Sequence, residues 1–452
     1  MRGSRQHPSG RRRGRREVLS LSAHSPRLAG AGKSSHYGVN KSRFREDSSV
    51  KSSTSCALTL ALLLSSSAFA DDKVVKIGSL SDQSSLYSDV GGPGSTLAAQ
   101  MAVEDSGLTK KGWTIDVVAG DHHNKPDIGA GIARKWFDED KVDVIVDVPN
   151  SGVALAVSGV VKEKNGVFLN SGAATSDLTG KACTPNTIHW TYDTYALANG
   201  TGKAVVKAGG DTWFFLTADY AFGHALQRDT SAVVEANGGK VLGSVNVPLN
   251  TPDFSSFLLQ AQSSKAKIIG LANAGGDTTN SIKQAHEFGI AGGGQKLAAL
   301  LLFITDVNAI GLDVAQGLEF TETFYWDMND GTRAFAKRFS ERMKNHAMPT
   351  MVQAGVYASV IDYLKALDAI GGNPHDGAKV VAKMKEMPTD DPLFGKGMIR
   401  PDGRTIHPAY LFEVKSPAES KYPWDYYKLI GTIPADEAFR PLAQSECPMV
   451  KK

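Results

Sequence analysis

No stretch of this 452-residue chain is long and apolar enough to cross a bilayer, which takes about 20 apolar residues. The best candidate, CALTLALLL (56–64), has nine residues. The signatures of the common α/β enzymes are missing too. Without G-x-S-x-G there is no nucleophile elbow. No G-x-G-x-x-G follows the first strand-like run, and no G-x-x-x-x-G-K-[ST] occurs, so neither a dinucleotide nor a P-loop phosphate is catered for. DHHN (121–124) supplies Asp121, His122 and His123, but adjacent histidines lack the spacing of metal ligands, and a plain polar loop explains them better. No period of 20–50 residues recurs, which excludes a solenoid. These absences favour binding over chemistry, with neither cofactor nor metal.

Positive charge is present but confined. The formal net charge is +3, yet residues 1–70 hold 13 Lys+Arg against 3 Asp+Glu, leaving 37 against 44 for the rest. No nucleic-acid partner is therefore expected. Residues 1–49 are rich in Arg, Ser and Gly without apolar periodicity, and read as a disordered extension or one created by a start placed too far upstream. Residues 50–70 read as a signal peptide: Lys51, the apolar core, then Ala68-Phe69-Ala70 followed by Asp71 and Asp72. Cleavage after Ala70 is expected, with the mature chain outside the cytoplasm. It keeps two cysteines, Cys183 and Cys447, and an even count in an oxidising compartment predicts a disulfide between them.

From residue 71 onward, strand and helix patterns alternate. VVKIGSL (74–80), WTIDVVAGD (113–121), VDVIVDV (142–148) and GVFLNS (166–171) are short and near-continuously apolar, with helical segments between them. That is the pattern of a parallel sheet covered on both faces. It restarts with TWFFLT (212–217), KVLGSVNVP (240–248), KIIGLANA (267–274) and KLAALLLFIT (296–305), the last read as one strand. Two α/β runs predict two doubly wound parallel-sheet domains. Helices at roughly 332–346 and 351–370 must pack on one of them, so the chain crosses between domains more than once. The expected lobes are 71–190 plus about 325–395, and 191–324 plus about 396–452.

Ligands of open parallel sheets bind outside the carboxyl ends of the strands. The segments there hold Tyr87 after the first strand, Asn150 and Ser151 after the third, and Ser171, Ala173, Ala174 and Thr175 after the fourth. The second run supplies Asp219, Tyr220 and Phe222, then Asn273, Asp277 and Thr278, then Thr305 and Asp306. NSGAATSDLTG (170–180) has almost no bulk. Small residues let an anion reach backbone N–H groups, and hydroxyls add donors, with Ser151 as helix N-cap. Two such loops suit one carboxylate; ordinary helix capping is the alternative account of either loop alone. The aromatic and acidic residues opposite suit an amine or an aromatic ring. Tyr325, in FYW (324–326), and Tyr192, in HWTYDTYALA (189–198), lie where the chain crosses between domains and are added to the candidate wall.

In this order the motifs resemble the branched-chain amino acid (leucine/isoleucine/valine) binding family of ABC-transporter solute-binding proteins. The resemblance runs through KIGSLSD (76–82), GWTIDVVAGDHHNKPDIGAGIARK (112–135), VDVIVDVPNSGVALAV (142–157), FLNSGAATSDLTG (168–180) and TADYAFGHAL (217–226), and covers essentially all of 71–452. It implies the two-lobed type I periplasmic-binding-protein (Venus-flytrap) fold, a periplasmic monomer, a small carboxylate ligand and permease partners in the inner membrane. It also implies a carboxylate held by Ser151, Ala173, Ala174 and Thr175, an aromatic cover from Phe222 or Tyr220, and an acid for the α-amino group at Asp306 or Asp277. Phe222 stands where Tyr is frequent in the family and Asp where Glu is common; both departures count against leucine. HWTYDTYALA resembles relatives that take up aromatic carboxylates. A sensory module for a chemotaxis or signalling receptor is the alternative function, and an enzyme the third.

Overall fold

Strands form where apolar runs are continuous, and their place in a sheet follows from how continuous they are. The computed structural model describes residues 73–451, so the extension over 1–49 and the signal peptide over 50–70, with its cleavage after Ala70, lie outside the described residues. β1 (Val74–Ser81), β2 (Thr114–Asp121), β3 (Val144–Asp147), β4 (Val167–Asn170) and β5 (Thr187–His189) form a parallel sheet in the order β2-β1-β3-β4-β5. β3 and β4 are buried at every position, whereas β2, at the edge, is only partly covered. β6 (Thr212–Ala218), β7 (Lys240–Val247), β8 (Ile268–Ala272) and β9 (Lys296–Ala299) form a second parallel sheet, β7-β6-β8-β9. Its edge strand β7 alternates between exposed and part-buried residues, while β8 is fully buried.

The later chain adds to both lobes. β10 (Glu319–Glu322) packs beside β9. Helix Met351–Ala369 returns to the first sheet, where it lies along helix Gly92–Ser106 and against β3 and β4. Of its 19 residues 14 are buried, as expected of a helix that is apolar nearly all round. β11 (Thr389–Asp391), β12 (Gly395–Ile399) and β13 (Thr405–Ile406) form a small antiparallel sheet, and Arg404 bridges His189 at the edge of the first lobe. β14 (Ala409–Val414) and β15 (Tyr427–Ile433) then complete the antiparallel sheet β10-β14-β15. Cys183 and Cys447 are joined by a disulfide, which fastens the C-terminal segment beside the loop that follows β4. No described helix is long and apolar enough to cross a membrane.

Two local expectations are corrected. The run read as one strand over 296–305 stops at Ala299; Leu300 and Leu301 bend, and a helix begins at Ile304. Asp306 draws the chain into that helix by accepting from Phe303 N at 3.0 Å. Ser151 is not the N-cap of its helix. Asn150 is, its Oδ1 accepting from Gly152 N and Val153 N at 3.0 and 3.1 Å. The expected helices at 332–346 and 351–370 run over Asp330–Arg342 and Met351–Ala369.

Candidate functional site

The order of the first sheet reverses between β1 and β3, and the loops leaving the two strands part around that point. The β3 loop is strained there: Asp147 and Val148 both take left-handed φ, 75° and 58°, although neither is glycine. Asp147 is fully buried, with Oδ2 accepting from Ser81 Oγ at 2.7 Å and Oδ1 unpartnered among the described residues. Burial raises its pKa to about 6. The β4 loop lies directly on this one. A Cβ on Gly172 would come within 2.5 Å of Asp147 Oδ1 and 2.7 Å of Pro149 Cα, so glycine is required for the approach.

The two lobes meet over a cavity of about 10 Å³, room for about one water. Tyr87, Val90, Pro149, Gly172, Ala174 and Tyr192 wall it from one side, and Tyr220, Phe222, Ala274, Leu301 and Phe303 from the other. Tyr87 Oη and Tyr220 Oη are 2.6 Å apart, a hydrogen bond from lobe to lobe. Burial holds both phenols above their ordinary pKa, so both keep their protons. Tyr192 Oη donates to Gly172 O at 2.7 Å, and its ring meets Phe303 edge-on at 6.2 Å. Gly275, at φ 58°, lies so close to Tyr87 that a Cβ there would be 3.0 Å from Cδ1 of its ring.

Tyr87 is held from behind by Asp82. This buried carboxylate accepts from Tyr87 N at 2.8 Å, Ser85 N at 2.9 Å and Asn124 Nδ2 at 2.6 Å. The polar loop that carries Asn124 therefore sets the site without lining it. Its His122 is buried and neutral, the pKa lowered to about 4 by burial, with Nδ1 accepting from Asn124 N at 3.0 Å. Among the described residues no group of three His, Cys, Asp or Glu is placed to share a metal.

A family model described as periplasmic binding protein matches residues 74–421. The chain belongs to the periplasmic binding protein family. This binding protein is 53% identical to a periplasmic binding protein from Burkholderia mallei, with 84% of this chain and all of that one covered and a TM-score of 0.81. It is 41% identical to a branched-chain amino acid ABC transporter periplasmic ligand-binding protein from Burkholderia xenovorans, over 83% of this chain and all of the other, with a TM-score of 0.74. At 23% identity it shares the fold of an ABC-transporter solute-binding protein from R. palustris solved with 4-hydroxybenzoate, over 84% and 100% of the two chains, with a TM-score of 0.73. The two α/β lobes are those of the type I periplasmic-binding-protein fold.

Five of the expected ligand residues line the cavity of this binding protein: Tyr87, Ala174, Tyr192, Tyr220 and Phe222. Asn150, Ser151, Ala173 and Thr175 are buried, next in the chain to lining residues Pro149, Gly172 and Ala174, and do not line the cavity themselves. Thr175 N donates to Ser151 Oγ at 3.2 Å, tying the two loops together. Ala173 N, expected to face a ligand, instead donates to Asn170 Oδ1 at 3.1 Å. The second lobe departs further from expectation. Asp219 is exposed and paired with His224 at 3.0 Å. Asn273 accepts from Thr278 Oγ1 at 2.8 Å. Asp277 accepts from Asn250 N and Thr251 N, with burial raising its pKa to about 6; Asp306 caps Phe303 N, with burial raising its pKa to about 7. Tyr325 stacks on Tyr427 at 4.6 Å and does not line the cavity. The buried acids share one physical reason: unpaired N–H groups in loops and at helix starts capture a nearby carboxylate before a ligand can. Leu301 and Phe303 escaped the sequence reading because their strand was drawn too long. Val90, Pro149, Gly172 and Ala274 carry no polar signal.

Proposed function

We propose that this protein is the solute receptor of an ABC importer and captures a small aromatic carboxylate by closing its lobes on it, for delivery to inner-membrane permease subunits. The observation that carries the reading is the cavity wall: five aromatic side chains with aliphatic and small residues between them, and among the described residues no charged side chain. An α-ammonium group buried there would lack a counter-charge, which is costly, whereas a ring meets rings. This favours an aromatic acid over a branched-chain or aromatic amino acid. The 41% identical ABC-transporter protein supports the importer role, and the 4-hydroxybenzoate complex shows the shared fold holding such an acid.

The carboxylate has donors at hand. When one phenol of the Tyr87–Tyr220 pair donates to the other, one O–H proton remains free. Ser151 Oγ, accepting from Thr175 N, also keeps its own proton, and Thr175 stands beside it as the second hydroxyl. We take the lobes as 71–190 plus about 325–395 and 191–324 plus about 396–452, with 395–406 lying along the edge of the first lobe on its way. The receptor acts as a monomer without turnover, in the periplasm, after cleavage at Ala70. Calorimetry of the mature protein against benzoate, benzamide, leucine and phenylalanine tests the reading. Benzoate should bind and benzamide should bind poorly. Binding of leucine or phenylalanine with benzoate inert would overturn the ligand class and leave the fold untouched.

A further inference from the structure

The Tyr87–Tyr220 hydrogen bond has a charged counterpart on the far side of the same helix. Helix Ala221–Ala236 packs on β6, β7 and β8 in the second lobe and also touches helix Ser151–Lys164 of the first. Its first turn carries Phe222 of the cavity wall, and about 10 Å further along, at 1.5 Å per residue, come Arg228 and Asp229. Both reach the loop after β4, whose Ala174 walls the cavity from the other side. Arg228 Nη1 donates to Asp177 Oδ1 at 3.1 Å and Nη2 to Ser176 Oγ at 2.8 Å, while Nε donates to Asp229 Oδ1 at 3.0 Å. Ser176 Oγ in turn donates to Asp229 Oδ2 at 2.7 Å. Asp229 is buried, and Thr194 Oγ1 and Arg440 Nη2 also donate to it, at 2.6 and 3.3 Å. With the first-lobe loop withdrawn, the Asp229 carboxylate would still hold Thr194, Arg228 and Arg440. Arg228 would instead lose both partners outside its own helix, and Ser176 Oγ would lose both of its contacts. The contacts at stake in opening are therefore those of Arg228 and Ser176.

We propose that Arg228 and Asp229 form a polar latch that fastens the loop after β4 to the second lobe and holds the receptor closed, positioning residues for capture that never touch the ligand. The inference rests on capture by lobe closure and is indifferent to which ligand is captured. The test combines small-angle scattering of the ligand-free mature protein with benzoate calorimetry, at low salt and at about 1 M salt, where charges are screened beyond about 3 Å. The Arg228 side chain is 45% exposed, so Arg228→Gln removes the charge without opening a core. It should enlarge the ligand-free particle at low salt. It should also weaken benzoate about five- to tenfold, the loss of a charged hydrogen bond discounted for exposure. Asp177→Asn should weaken benzoate as well, and adding it to Arg228→Gln should cost less than the sum of the two. Arg228→Lys should recover part of the loss, and the gap between wild type and Arg228→Gln should close at high salt. Arg338→Gln is the control: it breaks a pair with Asp105, 2.7 Å apart inside the first lobe, and should change neither readout. Ligand-free scattering that is the same for Arg228→Gln and wild type overturns the latch and leaves the aromatic-acid reading standing. An equal effect of Arg338→Gln overturns it too. If benzoate does not bind the wild type, the ligand class falls and the scattering alone decides the latch.

Discussion

Removing one phenol of the pair that joins the lobes should loosen closure in a way the structure lets one calculate. Tyr87 Oη and Tyr220 Oη are 2.6 Å apart, and both residues are almost wholly covered or half-covered in the cleft. Tyr87→Phe leaves Tyr220 Oη without its partner, and Tyr220→Phe does the same to Tyr87. A buried polar group stranded in this way costs about 1–3 kcal/mol. The bond spans the lobes, so the loss falls on the closed form and not on either lobe alone. If ligand binds productively only to the closed form, apparent affinity should drop by about 5- to 150-fold, the factor that this energy sets. The double variant Tyr87→Phe/Tyr220→Phe strands neither hydroxyl. Its loss should therefore be smaller than the sum of the single losses, with a coupling of at least about 1 kcal/mol. Calorimetry with benzoate supplies the affinities, and small-angle scattering with and without ligand reports closure. Single variants that bind within twofold of wild type, or a cycle that is additive, would refute the claim that this contact stabilises the closed form.

Three further outcomes follow from other parts of the site. Asp147→Asn removes a buried carboxyl whose folded pKa is raised to about 6 by burial. Such a group stabilises the fold fully below its unfolded pKa, near 4, and that stability is lost as pH rises through about 6; the variant should therefore gain on wild type by roughly 2–3 kcal/mol between pH 4 and pH 8. Denaturant unfolding at the two pH values measures this, and a pH-independent difference would contradict it. Asp82→Ala frees the backbone that positions Tyr87 and leaves Asn124 Nδ2 only Ser85 Oγ, at 3.2 Å, as acceptor. Ligand affinity should fall about tenfold, and unchanged affinity would show that Tyr87 is placed by other contacts. Reducing the Cys183–Cys447 bond opens a loop of 264 residues, for which chain entropy gives an upper bound of roughly 5.6 kcal/mol. Thermal unfolding with and without reductant should show a lower midpoint when reduced; alkylation of the unreduced, denatured protein should find no free thiol at either position.

Much of the architecture was legible because burial of a parallel sheet leaves a one-dimensional trace. VIVD and VFLN are apolar through their middle because strands covered on both faces have no polar side to show. The loops following β1, β3, β4 and β6 could be placed as candidates from strand ends alone, and Tyr87, Ala174, Tyr220 and Phe222 do wall the cavity. The absence of bulk in NSGAATSDLTG added the expectation of a carboxylate there, and the resemblance implied the same ligand group.

What the sequence determined by itself was the order of strands and helices, the two α/β runs and the loops from which a site had to be built. Tertiary structure alone decided which side chains reach that site. Asp277 and Asp306 read as ligand acids, yet backbone N–H groups brought close by folding claim them. Phe303 read as strand interior, yet a bend at Leu300 turns it into the cleft. The pairing of Tyr87 with Tyr220, 133 residues apart, is written in no local pattern. Periodicity records whether a residue is covered, whereas a hydrogen bond depends on which donor lies within about 3 Å, and only the folded chain fixes that distance.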